Sequence, residues 1–327
     1  MSIHDIELTD ENRVEIVEKV HSHTEFEYLV MSHQVDVRVL VAKNPALPGE
    51  LAALMVLDTE VRVRQSLAEN PQINQGTLQK LCEDKHVRVQ ATLAENRALP
   101  QRHLEELARH QSYFVRAGAA SNPQASLSLL NELSNDHEWG VRRNVAANPQ
   151  TEITILRELS ADSIHEVREA VVENPATPTD ILVAIFHSAR QEEVTSSENV
   201  RDEIEVRIAR SSFFEKILEK SNFPEELARE VFREKAVEDE SHLAISRSVI
   251  ARRTNLSREF IEEIVGDSDS MVRQALAANE SITDEFLSKL AFDDEEMVRT
   301  AVHRNPNSSP ESKASALLLG IESDIDD

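Results

Sequence analysis

The amino-acid sequence predicts an all-α solenoid built from two-helix repeats of about 26 residues. Three observations support this prediction: an asparagine recurs every 26 residues, apolar residues surround it at helical spacing, and prolines separate the helical stretches. The asparagines are Asn44, Asn70, Asn96, Asn122, Asn148 and Asn174, and the spacing resumes at Asn279 and Asn305. Because a unit of this size cannot bury an apolar face alone, neighbouring repeats are expected to stack.

The first helix of each repeat is predicted to end at the asparagine. In one unit, apolar residues recur at Val141 and, four residues later, at Val145, with Ala146 directly after it. This spacing is typical of one side of a helix. A proline commonly follows the asparagine, and proline cannot continue a helix. Asparagine also tolerates the left-handed backbone conformation. We therefore expect the eight asparagines to terminate their helices in that conformation.

The second helix is predicted from a proline near its start and from paired apolar residues. Pro48, Pro100 and Pro178 stand where the first helical turn lacks a hydrogen-bond partner for its N–H groups. Leu130 and Leu133 exemplify the apolar pair, 8 and 11 residues after the asparagine, on one helical face. Neither helix is long enough to be stable alone, so packing between repeats must supply the stability.

A polar column accompanies the apolar ones. An aspartate in the turn after the second helix is followed six residues later by an arginine, and two units depart from this rule, with Gln90 after Asp84 and His110 before Arg116. The regular members are Asp58, Arg64, Asp136, Arg142, Asp162, Arg168, Asp267, Arg273, Asp293 and Arg299. Residues six apart do not share a helical face, so their contacts must cross the turn or join adjacent repeats. A structural ladder that aligns turns is expected, and a binding or catalytic use is the alternative.

The repeat unit resembles a known family. Its pattern, V-R-x-x-V-A-x-N-P-x-x-x-P-x-x-L-x-x-L-x-x-D, is similar to the leucine-rich repeat variant (LRV) and is clearest at residues 141–149 and 155–159. The resemblance covers about 35–186 and 257–310, and it implies a bacterial, right-handed, HEAT-like solenoid without enzyme activity. Some relatives carry a cysteine-rich iron–sulfur module, but this chain has one cysteine, Cys82, so no cofactor is expected.

Departures from the repeat predict the domain organisation. A divergent first segment is interpreted as a cap over the open end of the solenoid, and a polar stretch at 187–203 as an exposed loop or helix extension. The predicted segments are an N-terminal cap (1–34), regular repeats (35–186), irregular repeats with a polar insertion (187–254), regular C-terminal repeats (255–319) and an acidic tail (320–327).

The irregular segment is also the first candidate for a binding surface. It holds Phe213, Phe214, Phe223 and Phe232, four of the ten phenylalanines of the chain. These side chains either fill gaps between irregular helices or line a groove for a partner, because exposed aromatic residues in solenoids mark binding faces. The composition leaves both interpretations open.

No catalytic, cofactor or metal motif is found. The chain lacks a nucleophile elbow, a phosphate-binding loop and a dinucleotide fingerprint. His21 and His23, with His33 nearby, are interpreted as a chance cluster, since a metal needs converging ligands. A net charge of −25 opposes direct nucleic-acid binding. No apolar run is long enough to span a membrane, and no basic start precedes an apolar stretch, so a cytoplasmic protein is expected.

The expected function is that of a non-catalytic scaffold that binds another protein, possibly one with a basic surface, because a broad negative field speeds encounter with positive charge. The same charge could serve solubility alone. The alternative from another class is an enzyme or nucleic-acid-modifying protein of the DNA glycosylase type, with its site in 187–254. The partner's identity and the oligomeric state stay open.

Overall fold

The computed structural model describes residues 9, 11–191, 213, 215–233 and 240–318. Every regular element in these residues is a helix, and the chain divides into two compact units, Met1–Thr177 and Pro178–Asp327. Within each unit, first and second helices alternate along the chain, and each first helix packs mainly on the first helix of the next repeat. The prediction of an all-α solenoid is confirmed.

The first unit contains an opening pair of helices followed by alternating first and second helices. The opening pair is α1 (Arg13–Glu18) and α2 (His23–Val30). The first helices are α3 (Val35–Lys43), α5 (Val61–Glu69), α7 (Val87–Glu95), α9 (Tyr113–Ser121), α11 (Trp139–Ala147) and α13 (His165–Glu173). The second helices are α4 (Gly49–Met55), α6 (Gln75–Cys82), α8 (Gln101–Ala108), α10 (Leu127–Leu133) and α12 (Ile153–Leu159). In the opening pair, Phe26 and Leu29 are fully buried.

The second unit contains the remaining helices. They are α14 (Thr179–Gln191), α15 (Glu225–Phe232), α16 (Glu240–Ala251), α17 (Arg258–Val265), α18 (Ser270–Ala277), α19 (Asp284–Leu290), α20 (Glu296–Arg304) and α21 (Pro310–Leu318). The predicted boundaries of the irregular segment fall partly outside the described residues, as do the acidic tail and most of the insertion at 187–203. No described helix is long and apolar enough to cross a membrane.

Seven of the eight repeating asparagines directly follow a first helix, and Asn279 lies one residue further on, after Ala278, but none of them has the predicted backbone conformation. Asn148 follows the last residue of α11 with φ −70° and ψ 124°, which is extended backbone. No described residue has a positive φ, so the left-handed prediction is wrong. Pro149 favours this region for the residue before it, but Asn96, which is followed by Arg97, has the same backbone, with φ −70° and ψ 119°. The physical reason common to both is that their side chains are held by hydrogen bonds to the preceding repeat.

The asparagine side chain instead bonds one repeat to the next. The amide nitrogen Nδ2 of Asn122 donates to the carbonyl oxygens of Ala94 at 2.6 Å and Asn96 at 3.0 Å. Its oxygen Oδ1 accepts from the backbone N–H of Gln124 at 2.8 Å. Asn70, Asn96, Asn148, Asn174, Asn279 and Asn305 repeat this pattern. These bonds fix the register, so residues 26 apart are neighbours on adjacent first helices.

The first helices pack closely along the stack, and one glycine allows the closest approach. Helix α9 packs against α7 more intimately than any other pair of first helices does. A Cβ atom added at Gly118 would lie 2.5 Å from the carbonyl oxygen of Ala91 and 3.1 Å from the Cβ of Ala94. Glycine is therefore required here by space, since any side chain would push the two helices apart.

Candidate functional site

The predicted polar column forms rungs between adjacent repeats. The guanidinium of Arg64 donates from Nε to Asp84 Oδ2 at 2.6 Å and from Nη1 to the carbonyl oxygen of Asp58 at 2.7 Å. Each arginine thus bonds the carboxylate 20 residues later and the backbone carbonyl six residues earlier. The carboxylate rungs are Arg38–Asp58, Arg64–Asp84, Arg116–Asp136, Arg142–Asp162 and Arg273–Asp293.

The rung carboxylates also start the next first helix. Asp136 accepts from Arg116 and from the backbone N–H of Glu138 at 2.9 Å. Burial acts to raise the pKa of Asp136, but these hydrogen bonds and the positive charges nearby outweigh it, so the pKa is lowered. The side chains of Arg116 and Asp136 are 9% and 7% exposed. Because such a closed rung leaves little surface for a ligand, its role is structural.

The last arginine of the column in each unit makes the same bond to a backbone carbonyl as the other rung arginines do. Arg168 and Arg299 are both 8% exposed, and each donates from Nη1 to the carbonyl oxygen of the aspartate six residues earlier. Asp267 lies 3.6 Å from Arg247 rather than in a short, bidentate pair. The ten predicted column residues therefore belong to structural ladders, six of them in the first unit and four in the second.

The two departures seen in the sequence belong to a single rung. Gln90 stands where an arginine would bond position 110, and position 110 is His110 rather than aspartate. Gln90 Nε2 donates to the carbonyl oxygen of Cys82 at 2.8 Å, and His110 Nδ1 accepts from the N–H of Ser112 at 2.9 Å. Both side chains line an open cleft of about 440 Å³. One rung of the ladder is therefore neutral and open.

The cleft does not hold a recognisable reactive centre. Cys82 also lines it, and burial first, then the charges of Glu106 and Glu83, raise the pKa of the thiol to about 11. A thiol protonated at neutral pH is a poor nucleophile. No group of three or more His, Cys, Asp or Glu side chains among the described residues is arranged to hold a metal ion.

The phenylalanines predicted to bind a partner are core residues wherever the structure describes them. Phe213, Phe223 and Phe232 are 2%, 1% and 6% exposed, and Phe214 lies outside the described residues. Phe223 packs edge-on against Phe186 with ring centroids 5.1 Å apart, and Phe232 packs likewise against Phe260 at 5.3 Å. Of the two interpretations of these residues, burial supports the first for Phe213, Phe223 and Phe232: large rings fill the space between less regular helices, and these three do not line a groove for a partner.

Exposed aromatic side chains lie in the first unit instead. We call Tyr113, Phe114 and Trp139 the aromatic patch; they are 38%, 59% and 44% exposed. Tyr113 and Phe114 open α9 and stack with their centroids 4.1 Å apart, and Trp139 opens α11. Tyr113 and Trp139 are 26 residues apart and so occupy neighbouring positions. The sequence held a signal for this patch, because Tyr113 and Trp139 interrupt a column of valines at positions 35, 61 and 87.

The opposite end of the same helical face is acidic. Glu69 and Glu95, the acidic edge, are the last residues of α5 and α7. Glu69 pairs with Lys43 at 2.8 Å, whereas Glu95 makes no ion pair within the described part of the chain. Partial burial first, and then the negative charge of Glu69, raise the pKa of Glu95. Among the described residues, Glu95 is therefore a carboxylate to which no cation is paired.

Comparison with solved structures shows similarity to repeat proteins. The chain resembles a leucine-rich repeat variant described as having a novel repetitive structural motif, at 18% identity over 80% of this chain and 88% of that one, with a TM-score of 0.39. It also resembles an engineered protein at 15% identity over 96% and 94% of the two chains, with a TM-score of 0.30. No family model and no curated protein matches the chain. These likenesses say nothing about activity or partner.

Proposed function

We propose that the chain is a non-catalytic scaffold that binds another protein through the first-helix face of its first unit. The observation that carries the proposal is the aromatic patch, three large side chains exposed at the starts of α9 and α11, which are adjacent first helices. Tyrosine and tryptophan are typical anchors of protein interfaces, since each buries much area at little entropic cost. A rigid row of helices also presents such anchors with little reorganisation.

The partner is proposed to carry a basic surface. The net charge of −25 creates a negative field that repels nucleic acid and accelerates encounter with positively charged proteins. The rung arginines do not oppose this field, because aspartates neutralise them within the ladder. A cytoplasmic location and the absence of enzyme activity stay predictions from the sequence.

Affinity capture tests this function. The full chain is immobilised, and proteins retained from a lysate of its source organism are identified, then purified and measured for binding. We expect a basic protein whose association rate falls steeply between low and physiological salt, where the screening length shortens to about 8 Å. Phe114→Ala should weaken binding, and Ile153→Ala, which truncates an exposed residue on a second helix, should not. Failure to capture any protein, or an association rate independent of salt, would count against the proposal.

A further inference from the structure

The first-helix face of the first unit has two chemically different ends. The aromatic patch lies at the first turns of α9 and α11, and the acidic edge lies at the last turns of α5 and α7. Since the asparagine ladder holds these helices in register, every first turn is at one margin of the face and every last turn at the other. The face therefore presents aromatic side chains at the first turns of α9 and α11 and glutamates at the last turns of α5 and α7.

The electrostatic surroundings of Glu95 in the acidic edge are unfavourable for its negative charge. Glu95 sits at the C-terminal end of α7, where the helix dipole already places partial negative charge. Its nearest charged neighbour along the column is Glu69, and their like charges repel. A lysine or arginine side chain from outside would relieve both effects at once. This part of the surface therefore favours a cation.

A positive charge at the other end of α7 determines the direction in which a basic ligand can bind. Arg88 is exposed at the first turn of α7, one repeat before Phe114 in the same column. A basic residue of a ligand would be repelled at that margin and attracted at the margin of Glu95. The charges along α7 thus run from positive at its start to negative at its end, which specifies the direction in which a basic ligand can lie.

We propose that this face binds an extended segment of a partner protein that carries a bulky apolar side chain and, four or five residues away, a lysine or arginine. The apolar side chain packs on Phe114 and Trp139, and the basic side chain pairs with Glu95. The proposal rests on the proposed function and specifies the chemistry of that interface.

The spacing follows from helix geometry. From the first to the last residue of a nine-residue helix is about 12 Å along the axis, at 1.5 Å per residue. Crossing from α7, which carries Glu95, to the neighbouring α9, which carries Phe114, adds a lateral step of roughly 8–10 Å, so the diagonal between these two residues is about 15 Å. An extended chain advances about 3.3 Å per residue and covers this distance in four to five residues. A folded basic surface would not need such a fixed spacing.

The test uses a display library of random 12-residue peptides selected on the full chain. We expect enrichment of peptides with Trp, Phe, Tyr or Leu separated from Lys or Arg by four or five positions. Selection on Trp139→Ala should lose this motif. Selection on Glu95→Gln should keep the apolar residue and lose the basic one, and Ile153→Ala should reproduce the wild-type result. Circular dichroism of each variant checks that it is folded.

Direct binding of one enriched peptide makes the test quantitative. By fluorescence anisotropy, Trp139→Ala should weaken binding at least about tenfold, as loss of an interface anchor does. Glu95→Gln should weaken it less and reduce its salt dependence. Enrichment of acidic peptides, a motif indifferent to both substitutions, or no enrichment would overturn the proposal. If the full chain captures a protein whose binding neither substitution affects, the scaffold function stands and this interface is wrong.

Discussion

In the first unit, buried asparagines bond each repeat to the one before it; in the second unit, Asn279 and Asn305 do the same, but Arg253 takes one such position. The assignment follows from Asn279, which donates to the carbonyl oxygen of Arg253 just as Asn122 donates to that of Asn96. Arg253 is 4% exposed and donates to the carbonyl oxygens of Leu218 at 2.7 Å and Phe223 at 2.5 Å. Backbone carbonyls of the preceding repeat thus receive a neutral amide at the asparagine positions and a charged guanidinium at Arg253.

The difference shows how a change in the spacing of the repeat brings a charged group into the interior. The asparagines reach carbonyls 26 and 28 residues earlier, whereas Arg253 reaches carbonyls 30 and 35 residues earlier. A longer side chain can satisfy carbonyls that the regular repeat does not bring close, but it carries a charge into the interior. Burial lowers the pKa of Arg253, with Glu225 acting in the opposite direction, and its Nε has no partner among the described residues.

The largest effect is expected from removing this arginine. Arg253→Ala leaves two buried carbonyl groups without donors, and we expect it to lower the free energy of unfolding by about 3 kcal/mol. The matched control is Arg252→Ala, because Arg252 is exposed and adjacent. Denaturant unfolding measures the loss, and amide hydrogen exchange in α15 and α17 should rise. Equal stability of the two variants would mean that Arg253 does not replace the asparagine.

The next effect concerns the asparagine ladder itself. Asn148 Nδ2 donates to the carbonyl oxygens of Ala120 at 2.7 Å and Asn122 at 3.0 Å. Asn148→Ala and Asn148→Gly both remove these donors, and each is expected to lower the free energy of unfolding by about 2 kcal/mol. Asn135→Ala, at an exposed position, is the control. If Asn148→Gly unfolded like the wild type, a left-handed terminating role would explain this position better than the bonds do.

These two positions show how far the sequence could predict the fold. The 26-residue spacing located the asparagines and the helices, because periodicity alone determines which residues become neighbours. It did not show which atoms they bond, because asparagine has several uses at a helix end. Arg253 was not recognised either, since the spacing around it is irregular and its partners, Leu218 and Phe223, bond through their backbones.

The candidate site was harder to predict. Aromatic residues were sought where the repeat breaks, on the expectation that irregularity marks binding. Phe223 and Phe232 are buried there because irregular helices leave space that must be filled. Phe114 and Trp139 lie within regular repeats, at positions whose equivalents hold ordinary surface side chains. The exposure of a side chain depends on its position in the repeat. Comparing residues at equivalent positions of successive repeats therefore predicts exposed aromatic residues better than the composition of a segment does.

An effect of similar size at pH 7, but one that depends on pH, is expected in the Arg–Asp ladder. Asp136→Asn removes a carboxylate that bonds Arg116 and accepts from the backbone N–H of Glu138, the residue before α11, and about 2 kcal/mol should be lost at pH 7. The pKa of Asp136 is lowered in the folded state, so its stabilisation is present above the unfolded value of about 3.9 and disappears as the pH falls through the folded value.

Unfolding free energies of Asp136→Asn and the wild type should therefore converge as the solution is acidified below about pH 3.9. Glu132→Gln serves as the control, because Glu132 forms an exposed pair with Arg109. A difference that stayed constant from pH 7 to strongly acidic solution would show that the Asp136 charge contributes nothing and that only its size matters.

The smallest effect tests the neutral rung. Every closed rung combines an arginine with an aspartate 20 residues later. Between positions 38 and 162 of the described chain, the pair at positions 90 and 110 has neither the arginine nor the aspartate. The double variant Gln90→Arg with His110→Asp should close the rung. We expect it to gain about 1 kcal/mol, the usual net contribution of such bonds, because the new carboxylate would also accept from the N–H of Ser112 as the imidazole of His110 does.

Each single substitution lacks its partner, so neither should stabilise the chain. Gln90→Arg would place a guanidinium opposite an imidazole, and His110→Asp would place a carboxylate opposite an amide. A double-mutant cycle from denaturant unfolding should show a favourable coupling of about 1 kcal/mol or more between the two positions. Strict additivity would mean that Gln90 and His110 do not face each other, and the ladder would then be interrupted at this repeat. A positive coupling would show that repeat register alone determines where a rung can form.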